Sequence, residues 1–121
     1  MTSTAVGTTN EVLDRHLQCF GSCDLAGIIA DYAPDAVVFM QHATFRGSEE
    51  IAGHFKMAFA EFSKPGVSFT MIKKDIDGDF AFIVWSAETA DNIYEMGTDT
   101  FVVRGGRIVA QTFAAKVTPK H

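Results

Sequence analysis

The spacing of apolar residues changes at Pro65-Gly66, from the helical period before it to an alternation of two after it. A chain that switches period once, in mid-sequence, is committed to helices followed by strands. Ahead of the switch, Val12, Leu13, His16, Leu17 and Phe20 recur at helical spacing and predict a first helix from about Asn10 to Gly21. Asp24 is placed to cap a second helix, Leu25 to Ala33, which Pro34 stops. A short strand, Ala36 to Met40, follows. Ser48 is the expected cap of a third helix, with Glu49 and Glu50 in its first turn and an apolar stripe of Ile51, Phe55, Ala58, Phe59 and Phe62. Beyond the switch, Val67 to Ile76, Phe80 to Thr89, Tyr94 to Val103 and Arg107 to Val117 read as four strands. Asp77-Gly78, Asp91-Asn92 and Gly105-Gly106 supply the turns between them. The pattern predicts one α+β domain, 10–121, after a flexible N-terminal tail, 1–9, with helices laid on one face of a largely antiparallel sheet.

Charge and composition narrow the partners. The formal charge is −5, and no Lys or Arg residues cluster, so nucleic acid is not an expected partner. The longest apolar run, Phe80 to Trp85, is six residues, against the roughly 20 that a membrane helix needs. Met1 to Thr9 has neither a basic start nor an apolar stretch, so no signal peptide is expected and the location expected is cytoplasmic. Cys19 and Cys23 then read as reduced, packed thiols. The Asp75-Ile-Asp-Gly-Asp79 run resembles the start of a calcium loop, but Phe80 and Ser86 stand where such a loop needs Gly and Glu. It is a hairpin turn, and so is Arg104-Gly-Gly-Arg107.

Polar residues set into apolar stripes are the candidates for chemistry. His16 lies between Leu13 and Phe20 on the first helix, and His54 between Ile51 and Phe55 on the third. Histidines so placed are commonly core residues bonded to backbone. Asp99 shares a strand face with Phe101 and Val103, where an unpaired carboxylate costs several kcal/mol of desolvation. A bulge at Gly97 is the alternative that would turn it to solvent. If all three point inward they meet in an apolar pocket, with His16 and Asp99 as a proton-transfer dyad. Their spacing matches no metal signature, and neither metal nor cofactor is expected. The strand from Phe80 is apolar on both faces: Phe80, Phe82 and Val84 on one, Ala81, Ile83 and Trp85 on the other. Helices cover one face, so a homodimer is expected through the second, with Trp85 and Ile83 at the interface; the alternative is that the second face folds over its own sheet.

The order of elements resembles the nuclear transport factor 2-like superfamily, in its ketosteroid isomerase and SnoaL-like polyketide cyclase branches. The most specific stretch runs from Leu17 to Val38, through Gly21-x-x-Asp-Leu25 and Tyr32-Ala-Pro-Asp-Ala-Val37; Phe45-Arg-Gly-Ser-Glu-Glu-Ile and Thr98-Asp99-Thr-Phe101 add to it. The resemblance implies a cone, in which a curved sheet wraps three helices around a deep cavity, and dimers through the outer sheet face. It places Asp99 on the isomerases' oxyanion-hole aspartate, His16 on their oxyanion-hole tyrosine, and Met40 where they carry the general base. Phe82 falls on a cavity aromatic, and His54 where an aromatic lines the pocket. Met40, Phe82, Ser86, Phe101, Gln111 and Phe113 are then expected to line the cavity, with Glu88 also facing it. The implied ligand is a small, largely apolar molecule bearing a carbonyl or hydroxyl. The implied protein is either a cofactor-free isomerase, cyclase or dehydratase, using His16, Asp99 and His54 for proton transfer, or a non-catalytic dimerisation or ligand-sensing module. Met40 removes the steroid isomerase mechanism.

Overall fold

The computed structural model describes residues 7–121. Helix α1 (Thr9–Gly21) begins ahead of the expected Asn10 because Thr8 caps it. The Thr8 hydroxyl accepts from the Glu11 N–H, and the Glu11 carboxylate accepts in return from the Thr8 N–H at 2.8 Å. Thr8 and Thr9 therefore belong to the fold, while 1–6 of the expected tail lie outside the described residues. Asp24 caps α2 (Leu25–Ala30) as expected, accepting from the Gly27 N–H at 3.0 Å.

That second helix is three residues shorter than expected. Ala33 precedes a proline and is pushed to extended backbone, and the Asp31 carbonyl is taken by the Ile108 N–H. The chain thus enters strand β1 (Tyr32–Phe39) early. Its pairing skips from Tyr32 to Val37 across the stretch holding Pro34, which has no N–H to offer a ladder. Strand β2 (Thr44–Arg46), unforeseen, folds back against Val37–Phe39. Helix α3 (Gly47–Phe62) starts before Ser48, which is not its cap. Arg46 holds the cap position without a side-chain bond, and Glu50 accepts from the Arg46 N–H at 2.8 Å instead.

Strands β3 (Ser68–Asp77), β4 (Phe80–Glu88), β5 (Asn92–Arg104) and β6 (Arg107–Pro119) form the expected antiparallel meander. Gly105 and Gly106, both at positive φ, make the last turn. The sheet order is β2-β1-β6-β5-β4-β3, with β1 parallel to β6. This curved, mixed six-stranded sheet holds the three helices against its inner face. No helix among the described residues is long and apolar enough to cross a membrane.

Register decides which face each strand residue takes, because residues directly opposite one another point the same way. Ile83 faces Asp99, which faces Phe113; Ala81 faces Phe101, which faces Gln111; Trp85 faces Gly97. All lie on the inner side. Two expectations are thereby corrected. Ile83 and Trp85 are buried inside rather than on a dimer surface, while Phe82 and Ser86 sit on the outer face with Val84 rather than lining the cavity. Glu88 is likewise outside, paired with Lys120 at 2.7 Å.

Candidate functional site

Between the helices and the inner sheet face lies a cavity of about 1070 Å³. Its exposed end carries His42, Glu50 and Met57; its buried end carries His16, Trp85, Asp99, Phe101 and Gln111, with the half-exposed Phe69 against Trp85. Met40, His54 and Phe113 also line it. The walls are largely aromatic because α1 and α3 face each other with rings: Phe20 meets Phe59 at 5.4 Å and Phe62 at 5.1 Å.

The buried end is organised around one carboxylate. The Trp85 indole N–H donates to Asp99 Oδ1 at 2.7 Å, and the Gln111 amide donates to Asp99 Oδ2 at 2.9 Å. Behind Gln111, the Tyr32 hydroxyl donates to Gln111 Oε1. Every donor in this chain runs one way and ends on Asp99. Burial pushes the Asp99 carboxyl up to about 6, and the bonds from Trp85 and Gln111 pull against that rise. At neutral pH the group is mostly ionised. A carboxylate has roughly four acceptor sites, so each oxygen keeps one after these two bonds.

The Trp85 N–H reaches Asp99 because the indole lies flat across the opposite strand at Gly97. A Cβ there would stand 2.3 Å from the ring carbons. Phe113 stacks near-parallel to the indole, with ring centres 6.0 Å apart and planes 10° from each other, and Phe69 stacks at 5.6 Å. The alternative of a Gly97 bulge does not occur. The register shifts fall at Trp85/Ala87, Tyr94/Met96 and Val102/Val103, and Gly97 and Asp99 stay in the ladder.

His16 is 5% exposed, and its Nδ1 is buried without a hydrogen-bond partner. It packs edge-on to Phe101 at 4.9 Å and to Tyr32 at 5.9 Å. Burial alone lowers it to about 4, so the imidazole is neutral at physiological pH. Among the described residues no hydrogen bond joins His16 to Asp99. The expected dyad is corrected: the bonds to Asp99 come from Trp85 and Gln111, and His16 is surrounded by rings. His54 stacks on Phe45 at 5.1 Å, and burial lowers it too. Among the described residues, no group of three His, Cys, Asp or Glu is placed to hold a metal ion.

Tyr32, and Trp85 as a donor, are the site residues that sequence reasoning missed. Tyr32 lay within the expected second helix, and Trp85 on a strand apolar on both faces. The only signal for the second was Gly97, a mid-strand glycine opposite a large ring.

The SnoaL-like domain family profile matches residues 13–111. No curated protein matches the sequence. Among solved structures, the chain is similar to a protein of Sinorhizobium meliloti provisionally described as a polyketide cyclase, with 20% identity over 85% of this chain and 93% of that one and a TM-score of 0.74. It is also similar to a provisionally described ketosteroid isomerase of Kribbella flavida (14% identity, 89% and 77% coverage, TM-score 0.73). A third is an NTF2-like protein of unknown function from Cytophaga hutchinsonii (9% identity, 95% of each chain, TM-score 0.76). At these identities the likeness is one of fold.

Proposed function

The chain belongs to the SnoaL-like domain family, and from that premise we propose that it binds a small, largely apolar molecule bearing a hydroxyl or carbonyl group and acts on it by cofactor-free proton transfer, in an isomerisation, cyclisation or dehydration. The observation that carries this reading is Asp99, a carboxylate buried at the end of an apolar cavity, held by two donors and left with acceptor capacity. Its raised pKa makes it a stronger base than an ordinary carboxylate, while its neighbours fix its orientation. Asp99 takes the proton from the ligand. His16, neutral in the same cavity, is the partner that gives or receives one at the ligand oxygen, and His54 is the second carrier toward the cavity's exposed end. The family resemblance puts Met40 where a steroid isomerase carries its base, which argues against that mechanism.

Thermal shift against small ketones, steroids and aromatic polyketides tests the proposal. A bound ligand at about a hundred times its Kd adds roughly 2.7 kcal/mol, which moves the midpoint by several degrees in a domain of this size. The shift is expected with at least one class. Turnover of that compound is expected to vanish in both Asp99→Asn and His16→Phe, each still folded. Full turnover in both variants would remove the mechanism, and silence across all classes favours a non-catalytic module.

We also propose that two copies pair through the outer sheet face. There Phe82 and Val84 are half-buried, and Phe80 is 52% exposed. Light scattering of the wild type should give twice the mass of the chain, and Phe82→Glu should give the mass of one. A monomeric wild type sinks this.

A further inference from the structure

Three carboxylates line the cavity, Glu50, Glu61 and Asp99, and among the described residues no lysine or arginine does. Elsewhere in the fold Lys64 is paired with Asp91 at 2.7 Å and Lys74 with Asp14 at 2.6 Å. Glu61 is pinned by Thr89, Asn92 and Tyr94, all donating to it. The donors at the buried end are committed as well, since Trp85 and Gln111 point at Asp99, and Tyr32 at Gln111. An anion entering here meets a carboxylate in a water-poor site, finds no opposite charge, and finds the hydrogen-bond donors around Asp99 already used. A hydroxyl meets the reverse: an acceptor with open lone pairs, in a cavity that also holds the neutral His16 imidazole. Two further histidines line the cavity, His42, which is exposed, and His54, which is half-buried against Phe45.

We propose that the cavity selects its ligand by charge, admitting an uncharged hydroxyl-bearing molecule and rejecting the carboxylate or phosphate on the same skeleton, with Asp99 as the discriminating residue. This rests on the ligand-binding reading above and narrows it to an uncharged substrate. Like charges a few ångströms apart in a partly desolvated site repel strongly enough for about a tenfold difference in affinity or more.

Naphthol, naphthoate and naphthyl phosphate share one ring system and differ in charge. Calorimetric titration of the full chain near neutral pH is expected to give naphthol a Kd at least about tenfold lower than either anion. In Asp99→Asn, with its fold checked by circular dichroism, the ratio should fall toward one. Wild type gives an independent arm that needs no variant: naphthoate should bind relatively better at pH 5 than at pH 8, because Asp99 gains a proton between them. Naphthoate binding as tightly as naphthol overturns the inference, and so does a ratio that survives both Asp99→Asn and acidification. Failure of all three probes to bind removes the ligand-binding reading for this skeleton and the inference with it.

Discussion

Asp99→Asn should give a protein more stable than wild type near pH 8 and one that loses stability on mild acidification. The sign follows from two buried groups that pull in opposite directions. Burial raises Asp99 from its ordinary 3.8 to about 6, so its protonated form suits the fold. That contribution is complete below pH 3.8 and is lost as the pH rises through about 6. Burial lowers His16 from 6.5 to about 4, so its neutral form suits the fold. That contribution is complete above pH 6.5 and is lost as the pH falls through about 4. Each gap corresponds to about 3 kcal/mol, and the two slopes oppose each other over nearly the same window.

In wild type they largely cancel, leaving a flat profile from these two groups. Asparagine keeps the shape of the side chain. Rotation of the Gln111 amide lets its oxygen accept from the new amide, and the Tyr32 hydroxyl then accepts rather than donates, so each of these side chains keeps one bond at the loss of the Tyr32 donation. What remains is the His16 slope alone. Denaturant melts at intervals from pH 4 to pH 8 should show Asp99→Asn gaining up to about 3 kcal/mol at the alkaline end and falling with acid, while His16→Phe rises with acid. Parallel profiles in wild type and both variants would mean that neither group is held as the structure holds it.

The parts of this fold that could be read ahead of the structure are those where one periodicity dominates. The stripes of α1 and α3, the Asp24 cap and the four-stranded meander all follow from local chemistry. Parity on β4 does not. A strand apolar on both faces fits either orientation, and the choice is made by its partner: Ile83 stands opposite Asp99, whose face is set by Phe101 and Val103 on its own strand, and that face carries Ile83 and Trp85 with it. Tyr32 was hidden for a different reason. Its helix ends early because the Asp31 carbonyl bonds to Ile108, some 77 positions along the chain, a contact that no local pattern announces. Asp99 itself was legible, since a carboxylate between Phe101 and Gly97 on a buried face needs explaining. Its donors were not, because one is a tryptophan assigned to the wrong side and the other is reached through register alone.

Gly97→Ala should be among the most damaging single-methyl changes in this chain, although glycine here has no unusual backbone angle to protect. The reason is space. The added Cβ would lie 2.3 Å from the Trp85 ring, where ordinary carbon contacts are about 3.5–4.0 Å. The indole cannot slide along its own plane without leaving Asp99, and it is flanked by Phe113 and Phe69. It must therefore swing into the cavity, which strands a buried carboxylate oxygen and breaks the stack. Overpacking of this kind costs about 1–3 kcal/mol, and the lost bond to a charged acceptor roughly 1.5–3 more. The expected loss is thus about 3 kcal/mol or greater, read from denaturant melts. Trp85 is the single tryptophan of the chain, so its emission and near-ultraviolet circular dichroism report the displacement directly. In a Trp85→Leu background the clash has no partner, and the same glycine change should cost well under half as much, a coupling that separates this mechanism from a general intolerance of the strand. A Gly97→Ala protein with native emission and stability within about 0.5 kcal/mol of wild type would show that the indole does not lie over Gly97.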